Sequence, residues 1–340
     1  MTTNAAPGRA RAGSRTGDNS PFHAGEQIVQ SRTGVRDQVE RAGRNTIRDH
    51  MADQHRELFE ALPLLVLGSV DPLGRPWASL MCGEPGFIRS PSPKLLQVTA
   101  QPTRGDPLAE QLGVGSPLGL LGIQLETRRR NRANGRVVGR DADSFTIEVA
   151  QSFGNCKQYI QARKSYFDAK LIGHAGAPRS ESAQLSARAR ELLARADTLF
   201  IATASVAPES GQASEGIDVS HRGGRPGFVR VSDEALATRL TLPDFRGNFM
   251  FNTLGNLEVN PRAGIICADF NTGDVLSLTG RAHVIWDGPD LESFAGADRL
   301  LSFDVQTGVL LEQALPLRFE GLIPSPDLAE TGIWPAQKAR

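Results

Sequence analysis

The 340-residue chain is poor in cysteine and carries no excess charge of either sign. Its three cysteines, Cys82, Cys156 and Cys267, lie far apart and form no CxxC pair. That pattern argues against a zinc knuckle or a dithiol motif and predicts a reducing, cytoplasmic compartment. The 38 basic and 38 acidic side chains cancel, which argues against a nucleic-acid or anionic-membrane binder that acts through bulk charge. No apolar run reaches the ~18 residues that a membrane helix needs.

Several cofactor and catalytic signatures are also missing. No GxGxxG opens a βαβ unit, and the chain has no Walker A sequence, no HExxH and no GxSxG. The six histidines show no metal-ligand spacing, so we predict no metal site. Residues 1–20 are polar, without the apolar core of a secretory signal, and are predicted to form a disordered tail.

What is present is a globular composition, with 39% hydrophobic and 22% charged residues. Helical spacing of apolar residues predicts a helix over 35–62, ended by Pro63, and a second helix over 183–196. Between and after them, short apolar runs punctuated by glycine and proline predict antiparallel strands, beginning at 64–70 and 77–82. The composition and pattern therefore predict a mainly β protein with flanking helices, of the α+β class.

The strand-rich part of the sequence occurs twice. Residues 85–89 (PGFIR) match 226–230 (PGFVR), and residues 135–137 match 280–282. Further matches are 102–106 with 243–248 and Leu112 with Leu254. Two copies of one helix-plus-strands unit predict a pseudo-two-fold arrangement, with units at 21–182 and 183–335. A repeat that serves structure alone is disfavoured because polar clusters recur at the matching turns.

The richest polar segment precedes a strand of the second unit. Ser220, His221, Arg222 and Arg225 surround the pair Gly223-Gly224. Glycines allow backbone N–H groups to approach a phosphate, and arginine binds phosphate oxygens bidentately. A second turn, with Arg246 and Asn248, follows about one strand later, and the two turns together predict an anion site.

The first unit contains a basic run and a mixed polar segment. Arg128 and Arg130 belong to the run RRRNR, which suits either phosphate contact or a solvated hairpin. Asn155 and Arg163, with Tyr159 between them, have helical spacing and are predicted to face the groove together. Cys156 is interpreted either as a small buried residue or as a site residue.

Residues 218–284 resemble the FMN-binding split-barrel proteins of the pyridoxamine 5′-phosphate oxidase-like superfamily. The motifs are S-x-R-G-x-x-P-G-F-V, P-D-x-x-G-N, N-P-R-x-G and L-x-G-R-A, and the resemblance extends over about 22–322. Within the superfamily the chain is most similar to a tandem-barrel branch of FMN-dependent enzymes. The resemblance implies two tandem six-stranded split β-barrels that form a pseudo-dimer, with FMN in a groove between two barrels.

The resemblance also implies a set of cofactor-binding positions. These are Ser220, Arg222, Arg225, Phe228, Val229, Leu242, Pro243, Asp244, Arg246, Gly247 and Asn248. The phosphate is expected at the turn 246–248, although Phe249 and Met250 stand where related sequences carry basic residues. Arg128, Arg130, Asn155 and Arg163 are predicted as further phosphate or substrate contacts.

The implied function is that of an FMN-dependent oxidoreductase acting on a small organic substrate. Its electrons are expected from NAD(P)H or a separate reductase, or to pass to oxygen, in a protein that is a homodimer and binds neither nucleic acid nor membrane. Tyr159, Cys156 and His221 are the candidate catalytic residues. The alternative is a non-catalytic protein that binds or carries flavin or haem.

Overall fold

The computed structural model describes residues 20–335, so the predicted tail at 1–20 lies outside the described residues except for Ser20. The helices are α1 (Ala24–Arg32), α2 (Arg36–Thr46), α3 (Asp53–Ala61), α4 (Ala187–Arg195), α5 (Asn252–Val259) and α6 (Pro289–Glu292). The strands before α4 are β1 (Leu64–Val70), β2 (Pro76–Cys82), β3 (Ile88–Ser92), β4 (Leu95–Val98), β5 (Pro117–Gln124), β6 (Arg129–Arg140), β7 (Phe145–Gly154), β8 (Ala162–Phe167) and β9 (Arg179–Glu181). The strands after α4 are β10 (Thr198–Ala204), β11 (Ile217–Gly223), β12 (Arg230–Asp233), β13 (Thr238–Phe245), β14 (Arg262–Ala268), β15 (Val275–Ile285), β16 (Ala297–Leu311) and β17 (Leu317–Ile323).

Two antiparallel sheets with the same strand order dominate the described chain. The sheet of the first half runs β2–β1–β5–β6–β7–β4–β3, and that of the second half runs β11–β10–β14–β15–β16–β13–β12. The mainly β, α+β prediction therefore agrees with the structure. Each path has seven strands, where six per unit were predicted. In the described residues no hydrogen-bonded ladder joins the two end strands of a path, so neither sheet closes into a barrel. The strand β9 adds to β16, and β8 pairs with β17 in a separate ribbon.

The two halves match at the level of individual strand registers. Gly135 and Gly280 each follow a β-bulge, in the ladders β6–β7 and β15–β16 respectively. A Cβ at either glycine would come within about 2 Å of a carbonyl oxygen on the facing strand, 1.9 Å for Gly135 and 2.1 Å for Gly280. Only glycine fits such an approach. The bulges fix the same register in both halves, so corresponding residues can be identified one by one.

The two halves pack against each other through the strands at one end of each path, with β1, β2 and β5 facing β10, β11 and β14. β1 and β10 are buried along almost their whole length because one face lies in the core of its own half and the other faces the opposite half. The shared core contains Val66 and Leu80 from the first half and Phe200 and Val275 from the second. In the part of the chain that the structure describes, no helix is long and apolar enough to cross a membrane.

The predicted helix over 35–62 is wrong as a single element. It is divided into α2 and α3 because the backbone of the intervening segment bonds to β7 and to the turn between β3 and β4 instead. Arg48 forms a bridge with Ser152, and the Met51 N–H donates to the Pro93 carbonyl. The helix predicted over 183–196 begins only at α4, where the Ser186 side chain accepts a hydrogen bond from the Ala189 N–H.

Candidate functional site

A cavity of about 110 Å³ lies where β6 of the first half meets β11, β13 and α5 of the second half. We call it the inner cavity. Its polar lining comprises Arg130, Arg132, Asn155, Cys156, Ser220, His221, Arg222, Asp244, Asn248, Asn252, Thr253 and Arg299. Its apolar lining comprises Leu121, Phe245, Phe249, Phe251 and Leu254, and Gly247 completes it. Both halves of the chain are therefore needed to form it.

Four guanidinium groups converge on the inner cavity. Arg222 and Arg299 both pair with Asp244, with 2.9 Å from Arg299 Nε to Asp244 Oδ2. Arg132 pairs with Asp218 at 2.6 Å. Two buried carboxylates thus face four guanidinium groups, although Asp298 also reaches Arg299 from the exposed side at 3.1 Å. The cavity carries an excess of positive charge, which favours an anionic ligand.

Arg130 is the least compensated of these arginines. Its Nε donates to the Cys156 carbonyl at 2.5 Å, and within residues 20–335 it forms no ion pair with a carboxylate. Burial, together with the charges of Arg132 and Arg222, lowers the pKa of Arg130 to about 10. A guanidinium in this position lacks a counter-ion that a ligand can supply.

Buried nitrogen atoms around the cavity also lack partners. Among the described residues, both ring nitrogens of His221 and the Nε atoms of Arg132 and Arg222 have no hydrogen-bond partner. An unpaired buried donor costs about 1–3 kcal/mol, so such a cluster is unfavourable unless water or a ligand satisfies it. Burial lowers the pKa of His221 well below its usual value, and neighbouring Arg130 and Arg222 add to this. A neutral His221 offers one N–H donor and one acceptor.

Three aromatic residues beside the cavity have left-handed backbone conformations. Phe249 has a φ of 59°, Phe251 of 62° and Tyr159 of 60°. Each such residue costs about 1–3 kcal/mol, and such strain concentrates at ligand sites. Phe249 and Phe251 line the inner cavity, and Tyr159 stacks on Phe245 with ring centroids 4.7 Å apart. The aromatic side chains thus provide flat apolar surface next to the arginine cluster.

Two further cavities continue from the inner cavity. The first shares lining residues with the inner cavity, and the second shares lining residues with the first. A cavity of about 70 Å³ adjoins Arg130 and His221 and also contacts Tyr159 and Arg246. An outer chamber of about 560 Å³ contacts Tyr159 and Arg246 again and is bounded by the segment 326–331. Burial raises the pKa of Tyr159, as do the carboxylates Asp327 and Asp298. The site therefore extends from a basic interior to a more acidic mouth.

The structure brings together most of the residues predicted from the sequence. Nine of them line the inner cavity: Arg130, Asn155, Cys156, Ser220, His221, Arg222, Asp244, Gly247 and Asn248. Tyr159, Pro243 and Arg246 line the adjoining small cavity. Their contact with a cofactor stays a prediction.

Six predicted residues lie elsewhere. Phe228, Val229 and Leu242 are buried in the hydrophobic core of the second half, and the first two precede the strand β12 rather than lying on it. Arg225 donates to the Leu328 carbonyl at 2.7 Å. Arg128 donates to the Ile160 carbonyl at 2.9 Å. For Arg163 the partner is Asp197, at 2.5 Å.

The predicted helical arrangement of Asn155, Tyr159 and Arg163 is wrong. Residues 155–161 contain no helix, and the positive φ of Tyr159 reverses the chain there. Arg163 lies on β8 and contacts a separate cavity, with its guanidinium 4.2 Å from the Phe270 ring. Of these three residues, Asn155 lines the inner cavity and Tyr159 lines the adjoining small cavity, whereas Arg163 lines neither.

Arg299 is not predicted from the sequence, and Arg132 is predicted only as a member of the basic run 128–132 and not as a site residue of its own. Arg132 is two residues after Arg130 on β6, and the alternation of a strand places both on one face. That signal was available in the sequence. Arg299 is placed by its pairing with Asp244 across β13 and β16, and no local pattern predicts such a contact.

A buried carboxyl group, that of Glu26, bonds to a residue that lines the inner cavity. Glu26 on α1 accepts hydrogen bonds from the His23 N–H at 3.0 Å and from Asn252 Nδ2 at 2.5 Å. Asn252 lines the inner cavity, and Asn256 on the same helix donates to Asp218 at 2.9 Å. Burial raises the pKa of Glu26 well above its usual value, and the charge of Asp218 raises it further. The folded protein therefore keeps Glu26 protonated to a higher pH than the unfolded chain does.

Replacing Glu26 by glutamine is expected to remove a pH-dependent loss of stability. Above about pH 4.5 the unfolded chain releases the Glu26 proton while the folded chain retains it. Stability then falls as the pH rises, by up to about 1.4 kcal/mol per pH unit, until the folded-state pKa is reached. In denaturant unfolding between pH 5 and pH 8, the free energy of unfolding of Glu26→Gln should increase relative to that of the parent protein as the pH rises. Exposed Glu57→Gln is the control, and parallel curves for Glu26→Gln and the parent would contradict a raised pKa of Glu26.

Comparison with known proteins gives only weak similarities. No family model matches the chain, and no curated protein matches it. Solved structures that match part of it include HupZ of Group A Streptococcus, with 12% identity over 36% of this chain and 90% of that chain and a TM-score of 0.28. A putative pyridoxamine 5′-phosphate oxidase from Lactobacillus delbrueckii has 10% identity over 37% and 94%, with a TM-score of 0.29. HutZ, described as a haem storage protein from Vibrio cholerae, has 15% identity over 42% and 95%, with a TM-score of 0.23. At these TM-scores the similarities support no statement about function.

Proposed function

We propose that the chain is an FMN-dependent oxidoreductase that holds the flavin phosphate in the inner cavity between its two halves. The arginine cluster with its unpartnered buried nitrogens supports this proposal most directly. It coincides with Ser220, Arg222, Asp244, Gly247 and Asn248, positions at which the family resemblance implies FMN contacts. A phosphate ester offers negative charge, which Arg130 lacks in a partner, and acceptor oxygens for the unpartnered Nε atoms of Arg132 and Arg222.

The described residues fit the phosphate end of FMN better than its ring. The inner cavity of about 110 Å³ suits a phosphate group and adjacent atoms. It is smaller than the roughly 300–1,000 Å³ of typical small-molecule sites. The outer chamber of about 560 Å³ falls within that range. The donor set thus fits the anionic part of the cofactor, and the larger remainder would need the space towards Tyr159.

The chain's own residues would bind and orient the ligand. Arg130, Arg132 and Arg222 would donate to phosphate oxygens, and Asp244 would hold the guanidinium of Arg222 in place through its ion pair. Phe249 and Phe251 would exclude water from one side of the pocket. Bound flavin supplies the redox chemistry, by accepting and passing on electrons at its ring. A small organic substrate would reach the site through the outer chamber, with NAD(P)H, a separate reductase or oxygen as the other redox partner.

Binding of FMN and of riboflavin to the purified chain tests the proposal. We expect flavin absorbance to remain with the protein after FMN titration and gel filtration, and riboflavin to bind at least tenfold more weakly because it lacks the phosphate. Bleaching of bound flavin by NADPH, followed by reoxidation with a substrate or oxygen, would establish the oxidoreductase. A chain that takes up no FMN would overturn the proposal.

One observation favours a second candidate, a non-catalytic carrier of haem or flavin. His221 is 95% buried and lines the inner cavity, and its ring nitrogens form no hydrogen bond within the described residues, so one of them is available to a haem iron. Titration with haemin discriminates the two. A Soret band that is lost in His221→Leu favours haem binding, whereas an FMN complex that shows no turnover favours a flavin carrier.

A further inference from the structure

We infer that only one of the two grooves related by the internal repeat binds a ligand, and that this groove is the inner cavity. The groove at the corresponding position of the repeat, which we call the second groove, is closed by packing between the halves. This inference deepens the proposed function, because it gives one FMN per chain where two pseudo-equivalent sites exist by symmetry. It depends on matching the grooves residue by residue, which the strand registers allow.

The registers identify the counterpart of each residue in the inner cavity. His221 pairs with Phe200 in β10–β11, as Leu80 pairs with Val66 in β1–β2. Arg130 pairs with Ile123 in β5–β6, as Val275 pairs with Ala268 in β14–β15. The same ladders match Arg132 with Ser277 and Arg222 with Met81. The Asn155 N–H donates to the Arg130 carbonyl at 3.0 Å, and Leu311 pairs with Val275, so Asn155 corresponds to Leu311.

One pair of hydrogen bonds confirms these correspondences. Arg132 donates to the Val219 carbonyl at 3.0 Å, and Ser277 donates to the Ala78 carbonyl at 2.9 Å. Val219 and Ala78 occupy matching positions on β11 and β2. The same backbone acceptor is thus used in both halves, by a long charged side chain in one groove and by a short neutral one in the other.

Four polar positions of the inner cavity are apolar in the second groove. The positions of Arg130, Asn155, His221 and Arg222 are taken by Val275, Leu311, Leu80 and Met81, all of which are apolar. Val275, Leu80 and Leu311 are at most 6% exposed and belong to one hydrophobic cluster shared by both halves. Such a lining offers no partner to a phosphate.

The second groove is also filled. A Cβ built on Gly247, beside the inner cavity, would meet no atom within 4 Å. Its counterpart Gly105 is packed against Pro178 and Leu311, and a Cβ there would lie 2.3 Å from the Pro178 side chain. The match of these glycines is supported by the next residues, since Asp106 and Asn248 each accept from the N–H two positions on. The chain itself therefore occupies the space that a ligand would need.

The stoichiometry of FMN binding to the full-length chain tests this inference. Equilibrium dialysis is expected to give one FMN per chain, and Arg130→Val, which installs the residue of the second groove, should reduce binding at least tenfold. Two FMN per chain in the parent protein, with one of them retained by Arg130→Val, would show that the second groove binds ligand. That result would overturn the inference while leaving the proposed function intact.

A reciprocal exchange tests the packing of the second groove without any flavin. This test can therefore overturn the inference even if FMN does not bind. Leu311→Asn, which installs the residue of the inner cavity, is expected to lower Tm by roughly 5 °C or more because an amide enters a packed apolar core. Asn155→Leu is expected to leave Tm within roughly 2 °C of the parent value. Equal Tm values for Leu311→Asn and the parent would show that the second groove is not packed shut, and would overturn the inference.

Discussion

Replacing Arg130 by methionine is expected to weaken FMN binding by about 1.5–3 kcal/mol, the usual scale for a hydrogen bond to a charged group. That loss corresponds to roughly ten- to hundredfold in Kd. Arg130 is the guanidinium without a carboxylate partner, so its removal leaves no orphaned acid behind. Stability should be unchanged or slightly higher, because a partly buried charge without a carboxylate partner is removed. Flavin fluorescence quenching gives Kd, and thermal unfolding checks the fold.

Two controls make the Arg130 result specific. Arg129→Met changes the neighbouring residue on β6, whose exposed guanidinium donates to the Gln54 carbonyl at 3.0 Å, away from the cavity. It should leave the Kd for FMN unchanged, and Arg130→Met should leave riboflavin affinity nearly unchanged. If Arg246→Met abolishes FMN binding instead and Arg130→Met does not, the phosphate lies at the outer turn and not in the inner cavity.

The repeat and the strands could be predicted from sequence because their signals are local. Short apolar runs bounded by glycine and proline predict β1 and β2 nearly to the residue. The matching of Gly135 with Gly280 reflects a bulge that tolerates no side chain in either half. Such steric requirements leave a trace in the sequence, whereas the number of strands that join each sheet depends on pairing between distant segments.

The site was predictable where polar residues cluster along the chain and unpredictable where they meet only in the fold. The segment containing Ser220, His221 and Arg222 is recognisable as an anion site from its composition alone. The role of Arg299 depends on the pairing of β13 with β16, and that of Glu26 depends on α1 packing on α5. The segment 155–163 was misassigned because helical spacing is shared by any loop in which polar residues happen to recur every four positions.

The asymmetry of the two grooves has no signature in a simple repeat alignment. Leu80 and Val275 are ordinary strand residues, and only the register shows that they stand where His221 and Arg130 stand in the other half. Fusion of two units in one chain allows this divergence, because each half can then change independently of the other. The first half now supplies the β6 arginines, and the second half supplies β11, β13 and α5.

Replacing Gly119 or Gly264 by alanine is expected to reduce the free energy of unfolding by about 2–3 kcal/mol through overpacking. These glycines correspond on β5 and β14, and each faces the backbone of the opposite half. A Cβ at Gly119 would lie 2.3 Å from the Ile217 oxygen, and a Cβ at Gly264 would lie 2.5 Å from the Pro76 oxygen. Since backbone cannot rotate away as a side chain can, the two halves have to separate slightly. Urea denaturation measures the effect.

The two glycine variants should differ in ligand binding although they resemble each other in stability. The Cβ of Gly119→Ala would also lie 3.2 Å from the Cα of Asp218, whose carboxylate positions Arg132 in the inner cavity. Gly119→Ala is therefore expected to weaken FMN binding as well, whereas Gly264→Ala disturbs only the Pro76–Trp77 backbone on the side of the second groove. Gly139→Ala on β6 is the matched control, since its Cβ would meet only Thr146 at 3.9 Å. Equal stability of Gly264→Ala and Gly139→Ala would contradict the close approach of the two halves at β14.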